Sequence, residues 1–326
     1  MDKLSITIWL THRCNMRCVY CYEKNKDAAH MSMNTAKAVY SYIYKTLSDN
    51  KVKKCFISFH GGEPFLENSL ITYFLEKFLI IKEVDFIYSV TTNGTLLNDD
   101  ELHNLMKFNE VNISIDGNQK FQKLNRPMVN GGDSSVLLRK NIDHIINNNI
   151  KFNARMTVVP SGIDVLEENI DYIYNLGVKS IICAIDYWNY RWTNPMLEKY
   201  LLHVSKCREK YSFDNKFKIY DIMASTYSMK GKCAGGIYNR IIDCDGSLYP
   251  CTVVCGKSEY RIGNIYNGIN ADWNLRLESY NSCIDNKCMN CNNSNKCAAR
   301  RCIFMKKISS NLFDNLCTIQ KFNNNQ

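Results

Sequence analysis

Cys14-Asn-Met-Arg-Cys18-Val-Tyr-Cys21 is a C-x3-C-x2-C run that directly follows the short apolar segment Ser5–Leu10. The spacing lets three thiolates of one loop converge on a single metal centre. A cubane 4Fe–4S cluster is usually held by four thiolates, so three would leave one iron open to a substrate or cofactor. Zinc is the alternative occupant. It takes four N or S donors, and His12 could supply the missing one.

Around this loop the chain alternates between two periods. Candidate strands, rich in Ile, Val, Phe and Tyr, are Ser5–Leu10, Cys55–His60, Phe86–Thr91, Val111–Ile115, Phe152–Val159 and Ser180–Ile185. Helical patterns separate them at Thr35–Leu47, Leu70–Ile81, Asp99–Phe108, Val136–Asn147, Val165–Asn175 and Pro195–Lys210. Asn34 and Asn98 are candidate N-caps, and Gly177 sits where a helix should stop. Repeated strand–helix alternation predicts a parallel sheet with right-handed crossovers. Six units fall short of the eight of a closed barrel, so the fold class is α/β, an open partial (β/α)6 barrel. Active-site residues should then sit where strands end.

Near Met229 the pattern changes to Gly, Asn, Asp and Cys, and helical periodicity becomes scarce. We place a domain boundary at about residue 225, giving a barrel over 1–225 and a cysteine-rich domain over 226–326. The chain has 16 cysteines, and ten of them lie from Cys233 to Cys317. No signal peptide or membrane span is legible, so the expected compartment is cytoplasmic, where clustered cysteines read as metal or redox ligands rather than disulfides. Cys55, Cys183 and Cys207 stand alone and read as small buried residues. The net charge of +9 is spread along the chain, and no nucleic-acid motif accompanies it.

C-x3-C-x2-C after the first strand of a partial barrel resembles the radical S-adenosylmethionine (SAM) superfamily. The resemblance implies a 4Fe–4S cluster on Cys14, Cys18 and Cys21, with SAM chelating the open iron. Tyr20 matches the aromatic position placed near the adenine. Gly61-Gly62-Glu63-Pro64, ending the second strand, matches the segment that binds the SAM amino group. Adjacent glycines allow close backbone approach, and a carboxylate or carbonyl can accept from an ammonium. Thr92-Asn93-Gly94 and Ser114-Ile115-Asp116-Gly117 look like ribose and carboxylate contacts, and Arg126 matches an arginine that reaches the SAM carboxylate. Taken alone, Gly61-Gly62-Glu63-Pro64 would read as a turn, and Asn93-Gly94 and Asp116-Gly117 would read equally well as turns or as contacts. Nicotinamide binding is disfavoured, because no G-x-G-x-x-G follows the first strand.

The last third resembles the SPASM domain of peptide-modifying radical SAM enzymes. Cys233, Gly246 and Cys251 are followed by Cys288-x2-Cys291-x5-Cys297-x4-Cys302, then Cys317. The resemblance implies two auxiliary 4Fe–4S clusters. Cys288, Cys291, Cys297 and Cys317 would hold the distal one, and Cys233, Cys251 and Cys302 the proximal one. Cys244, Cys255 and Cys283 compete for the proximal cluster's fourth position. The family's C-x3-C is C-x4-C here, which bears on Cys302. A zinc ribbon is the competing reading of the C-x2-C pair.

The implied chemistry is hydrogen abstraction from a peptide or protein substrate by a 5′-deoxyadenosyl radical, leading to a thioether or carbon–carbon crosslink. Formylglycine formation in a sulfatase and peptide epimerisation are the alternatives. Sulfatase maturases usually carry Asp after the cysteine that Cys251 matches, and here Thr252 follows. The implied partners are the substrate and an electron donor such as flavodoxin or ferredoxin, with no nucleic acid and no membrane. The aromatic segment from Asp186 through Trp188 to Trp192 follows the sixth strand. It is a candidate peptide-binding lid, with packing as the simpler role, and Asp186 is a candidate base. The first strand begins by Ser5, so leader recognition is expected to need the barrel, the C-terminal domain or a separate protein.

Overall fold

The computed structural model describes residues 2–23, 29–186, 188, 192–221, 232–283, 285–292, 294, 297–308 and 310–324. Six strand–helix repeats come first: β1 (Lys3–Trp9) and α1 (Met33–Asp49), β2 (Lys54–His60) and α2 (Asn68–Leu79), β3 (Asp85–Thr92) and α3 (Asp99–Leu105). After them come β4 (Glu110–Ser114), α4 (Gln119–Asn125) and α5 (Ser134–Asn147), then β5 (Phe152–Val158) and α6 (Leu166–Tyr174), then β6 (Ser180–Ile185) and α7 (Asn194–Lys210). All six expected strands and all six expected helices are present. The α/β partial-barrel expectation is met.

Strands β1 to β6 pair in parallel, neighbour to neighbour. Side chains in one register row share a face. Ile8, Phe59, Val90, Val111 and Phe152 form one such row, and all are buried. They meet the helices, whose buried stripes recur at helical spacing: Ala36, Val39, Ile43 and Leu47 on α1, Leu70, Ile71, Phe74 and Phe78 on α2. The adjacent row is polar: Thr7, Ser58 and Ser89 lie side by side, each partly exposed. A parallel sheet packed on both faces reads as continuous apolar strands. Here the inner face is polar and open, which leaves room for ligand inside the barrel.

Two strands extend the sheet beyond the six units. β7 (Lys218–Asp221) pairs parallel with β6. β8 (Asn239–Ile242), from the cysteine-rich third, pairs parallel with β1, so the first and last thirds share one sheet. β9 (Ser247–Tyr249), β10 (Gly263–Asn264) and β11 (Gly268–Ile269) continue it antiparallel. The short helices α8 (Trp273–Ser282), α9 (Asn286–Met289), α10 (Ala298–Arg301) and α11 (Ile303–Ile308), then α12 (Ser310–Asn324), complete the fold. The expected boundary at residue 225 and the compositional change at Met229 lie outside the described residues.

Local signals behave as expected with one correction. Asn98 caps α3 in a full capping box with Glu101. Gly177, at φ +78°, turns the chain after α6. The N-cap of α1 is Ser32 rather than Asn34: the Ser32 hydroxyl accepts from Thr35 N–H, and the helix has already begun at Met33.

Candidate active site

The end of β1 runs into the cysteine loop, and neighbouring strand ends hold it by hydrogen bonds. The loop backbone lies along the segment after α4: Arg17 N–H donates to Pro127 O at 2.8 Å and Val19 N–H to Asn125 O at 2.9 Å. Cys14, Cys18 and Cys21 are half-buried and carry no disulfide. The Cys14 sulfur accepts from Met16 N–H at 3.4 Å.

Gly61 and Gly62 bring the end of β2 against this loop. A Cβ on Gly62 would lie 2.2 Å from the Arg13 carbonyl oxygen, and one on Gly61 2.6 Å from that of Thr11. Gly62 N–H donates to Thr11 O and Glu63 N–H to Arg13 O. The close approach that these glycines allow is therefore made first to the protein's own backbone. Pro64 starts the single turn that follows.

The Glu63 carboxylate is buried and accepts from Thr92 Oγ1 at 2.7 Å, Asn93 N–H at 2.7 Å and Phe65 N–H at 3.2 Å. Burial pushes its pKa up to about 7 against those three donors. The carboxylate thus fastens β2 to β3, which leaves the segment's carbonyls as acceptors. Asn93 Nδ2 donates to Asn15 Oδ1 at 2.8 Å, and Asn15 Nδ2 donates to Thr95 Oγ1 at 2.9 Å. This knot ties the cysteine loop to the end of β3.

The third group is Tyr20, Asp116 and Arg126, all buried. Asp116, just past the end of β4 at Ser114, accepts from the Tyr20 hydroxyl, from Arg126 Nε and Nη2 at 3.0 Å each, and from Thr157 N–H at 3.0 Å. The guanidinium lies 5.2 Å from the centre of the Tyr20 ring. Burial opposes the charge on Arg126, but Asp116 outweighs it and raises the pKa above the ordinary arginine value. Burial raises Tyr20 as well. Asp116 and Arg126 are thus each other's partners, beside Tyr20 and near Cys18.

Sequence reasoning assigned no role to several residues in the same chamber. His60, ending β2, stacks on Trp9 with ring centres 4.5 Å apart and accepts from Gly61 N–H at 2.9 Å. Burial and the nearby Arg155 push it down to about 4. Arg155 lies on the open inner face of β5. The signal available in the sequence was position: His60 is the last residue of β2, and Arg155 faces inward by alternation with the buried Ala154 and Met156.

Asp186 is buried after β6. Its carboxylate accepts from Trp188 N–H at 2.9 Å and its carbonyl from Trp192 Nε1 at 2.7 Å. Trp192 is a core residue against Tyr200, which removes it from any lid. Trp188 is half-buried and lies 5.8 Å, ring centre to ring centre, from Tyr22 of the cysteine loop. The other aromatic residues of that segment, Tyr187 and Tyr190, lie outside the described residues.

In the last third most thiols gather in two sets. Cys251 is pushed up by burial and then by the charges of Cys302 and Cys233. Cys302 rises to about 11, by burial and then by Cys233. These three converge despite the C-x4-C spacing. Cys288 is raised by burial, with Cys297 and Cys317 among its neighbours, and Cys317 is raised by burial and then by Cys297 and Cys291. Those four form a second set. Cys244 and Cys255 keep company with each other and with Asp243, while Cys283 is exposed. Cys55, Cys183 and Cys207 are core residues, as expected.

Comparison with known proteins agrees with this architecture. The family model described as the Radical SAM superfamily matches residues 8–173. The cysteine-type anaerobic sulfatase-maturating enzyme of Clostridium novyi is 27% identical over 335 residues, covering 90% of this chain and 86% of that one. The antilisterial bacteriocin subtilosin biosynthesis protein AlbA of Bacillus subtilis is 25% identical over 282 residues, covering 81% and 57%. The fold is shared with native anSMEcpe with bound AdoMet and Kp18Cys peptide, at a TM-score of 0.76 and 20% identity over 98% of this chain and 100% of that one. It is shared also with Streptococcus suis SuiB bound to precursor peptide SuiA, at a TM-score of 0.69 and 15% identity over 94% and 73%.

Proposed function

Because the chain belongs to the radical SAM superfamily, whose members bind SAM and an iron–sulfur cluster, we propose that it is a peptide maturase that closes an oxidative crosslink, a thioether or a carbon–carbon bond. The observation that carries this reading is the grouping of the thiols. Three stand at the barrel mouth, and two further sets stand in the last third, which shares a sheet with the barrel through β8.

The donor chemistry fits iron–sulfur clusters. Cys14, Cys18 and Cys21 would hold the catalytic one. Cys233, Cys251 and Cys302, and separately Cys288, Cys291, Cys297 and Cys317, would hold auxiliary ones. Buried thiols with mutually raised pKa values are what a cationic centre would relieve. With SAM bound, the catalytic cluster would supply a 5′-deoxyadenosyl radical able to take hydrogen from an unactivated C–H bond. The protein's part is to position and to exclude water. The carbonyls of Gly61 to Pro64 would take the SAM amino group. Thr92, Asn93, Ser114 and the Asp116–Arg126 pair would border its ribose and carboxylate, with Tyr20 beside the adenine. Asp186 would accept a substrate proton.

In this reading residues up to about 225 make the radical SAM domain and the remainder a SPASM domain. The enzyme would act in the cytoplasm; among the described residues no helix is long and apolar enough to cross a membrane. Its net charge of +9 suits an acidic flavodoxin or ferredoxin as electron donor. Formylglycine formation is the second reading, favoured by the coverage of the Clostridium novyi relative and weakened by Thr252.

The test is iron and sulfide content of anaerobically reconstituted protein, beside a Cys14→Ala/Cys18→Ala/Cys21→Ala variant, with SAM cleavage assayed on both. About twelve irons falling to about eight, with cleavage lost, is the expected result. Incubation with a cysteine-rich peptide should remove two hydrogens from it. Cleavage of SAM without any such loss, and with conversion of a sulfatase cysteine instead, would overturn the crosslinking assignment.

A further inference from the structure

The first and last thirds meet at a cluster that the radical chemistry does not use. His12 precedes the cysteine loop, and Asp243 and Cys244 follow β8. One ligand atom from each, an imidazole nitrogen, a carboxylate oxygen and a thiol sulfur, lies within 4.8 Å of the others. We propose that these three residues bind a single zinc ion, distinct from every iron–sulfur cluster.

The donor set selects the metal. Nitrogen, oxygen and sulfur together suit zinc, whereas magnesium and calcium take oxygen alone. The geometry is close to what zinc needs. His12 Nε2 lies 2.8 Å from Asp243 Oδ1. Tetrahedral zinc with bonds of about 2.0–2.2 Å holds such atoms about 3.3 Å apart, so entry asks for an opening of about half an ångström.

Histidine ligands of zinc characteristically bond a carboxylate through the other ring nitrogen, which fixes the tautomer. His12 Nδ1 lies 3.1 Å from Glu23 Oε2. The Trp9 ring, 5.9 Å away, stacks on the imidazole. Asp243 and Cys244 are buried, and Asp243 Oδ1 is further fixed by Cys244 N–H at 2.8 Å. Cys255 lies near Asp243 and Cys244, whose charges push its thiol further up after burial. Zinc would displace the proton of His12 Nε2 and the thiol proton of Cys244, with no change in oxidation state.

The site would clamp residue 12, two residues before Cys14, to the turn after β8. The test uses the full chain, reconstituted with iron and sulfide and then dialysed against a mild chelator. About one zinc per chain should remain beside the iron. Its zinc-edge X-ray absorption should show a mixed shell of nitrogen or oxygen with one or two sulfurs. The Cys14→Ala/Cys18→Ala/Cys21→Ala variant should keep the zinc. Cys244→Ala combined with Asp243→Ala should lose it and keep its iron, while Asp245→Asn keeps both. Absence of zinc, an all-sulfur shell, or loss of iron rather than zinc from the double variant would each overturn the proposal. If the double variant does not fold, the wild-type absorption spectrum decides alone. Iron content and SAM cleavage test the maturase reading separately.

Discussion

The barrel mouth and the cysteine field of the last third are both built around thiols, but they are held by different means. At the mouth, side chains from four strand ends bond their neighbours: Glu63 to the Thr92 hydroxyl and the Asn93 N–H, Asn15 to Asn93 and Thr95, Tyr20 and Arg126 to Asp116. Backbone N–H groups bond sulfurs in both regions, Met16 to Cys14 at the mouth and Gly235 to Cys233 and Arg300 to Cys297 in the field, each at 3.4 Å, but no such side-chain network is seen around the field's thiols among the described residues. Its helices α9 and α10 are single turns. The mouth keeps its shape from its own polar network. The field adds a small core of Trp273, Ile303, Phe304, Phe313 and Leu316, but the segments that carry its thiols are single turns and loops, whose order should depend on what the thiols bind.

The sharpest way to break this contrast is to remove one polar side chain at the mouth. Asp116→Ala leaves a buried arginine without its partner, a loss of about 3–5 kcal/mol of stability. Urea unfolding of the metal-free chain would measure it, and a loss below about 1 kcal/mol would mean that the network does not hold the mouth.

The next largest effect is in pH. Glu63 is raised to about 7, above its value in the unfolded chain, because burial disfavours the carboxylate. The folded state therefore holds a proton that the unfolded state has released. Its stability contribution is complete below the ordinary carboxylate range and is lost as pH rises through 7. Relative to Glu63→Gln, wild type should lose up to about 3 kcal/mol between pH 4.5 and 7.5. Parallel pH profiles for the two proteins would contradict that.

The field is tested by comparing iron-reconstituted with iron-free protein. Amides from Asn286 to Gln320 should lose protection from hydrogen exchange by about a hundredfold, while those of α1 and β2 change by less than about threefold. Equal loss in both regions would erase the distinction.

The smallest effect separates two tryptophans. Trp188→Ala, next to Tyr22, should raise the KM for peptide about fivefold, on the order of 1 kcal/mol. Trp192→Ala should instead lower stability, because that ring packs in the core.

The barrel was legible because its strands and helices repeat clear periods, and because Asn98 and Gly177 punctuate them. β8 was not, since Asn239–Ile242 is short and lies among Gly, Asn and Cys; it is a strand because β1 offers it an edge. The cysteine sets could be grouped from spacing and resemblance. What the side chains at the mouth do could not be read that way. Gly61 and Gly62 are small because the Thr11–Arg13 backbone fills the space beside them, and the Glu63 carboxylate is occupied by Thr92, Asn93 and Phe65. Such contacts join residues distant in sequence, and no local pattern records them. The His12–Asp243 pair joins residues 231 positions apart and was equally hidden.

The pairing of β1 with β8 also sets an order of events during synthesis. β1 is made before both of its neighbours and ends in the interior of the sheet, with β2 on one side and β8 on the other. Its second edge stays bare until the ribosome has passed Asn239, roughly ten seconds or more at ordinary elongation rates of about 5–20 residues per second. During that interval a strand carrying Ile6 and Ile8 offers unpaired backbone to any passing chain. The two halves of the sheet are therefore joined late, and aggregation during synthesis is expected to fall when a nascent-chain chaperone covers that edge.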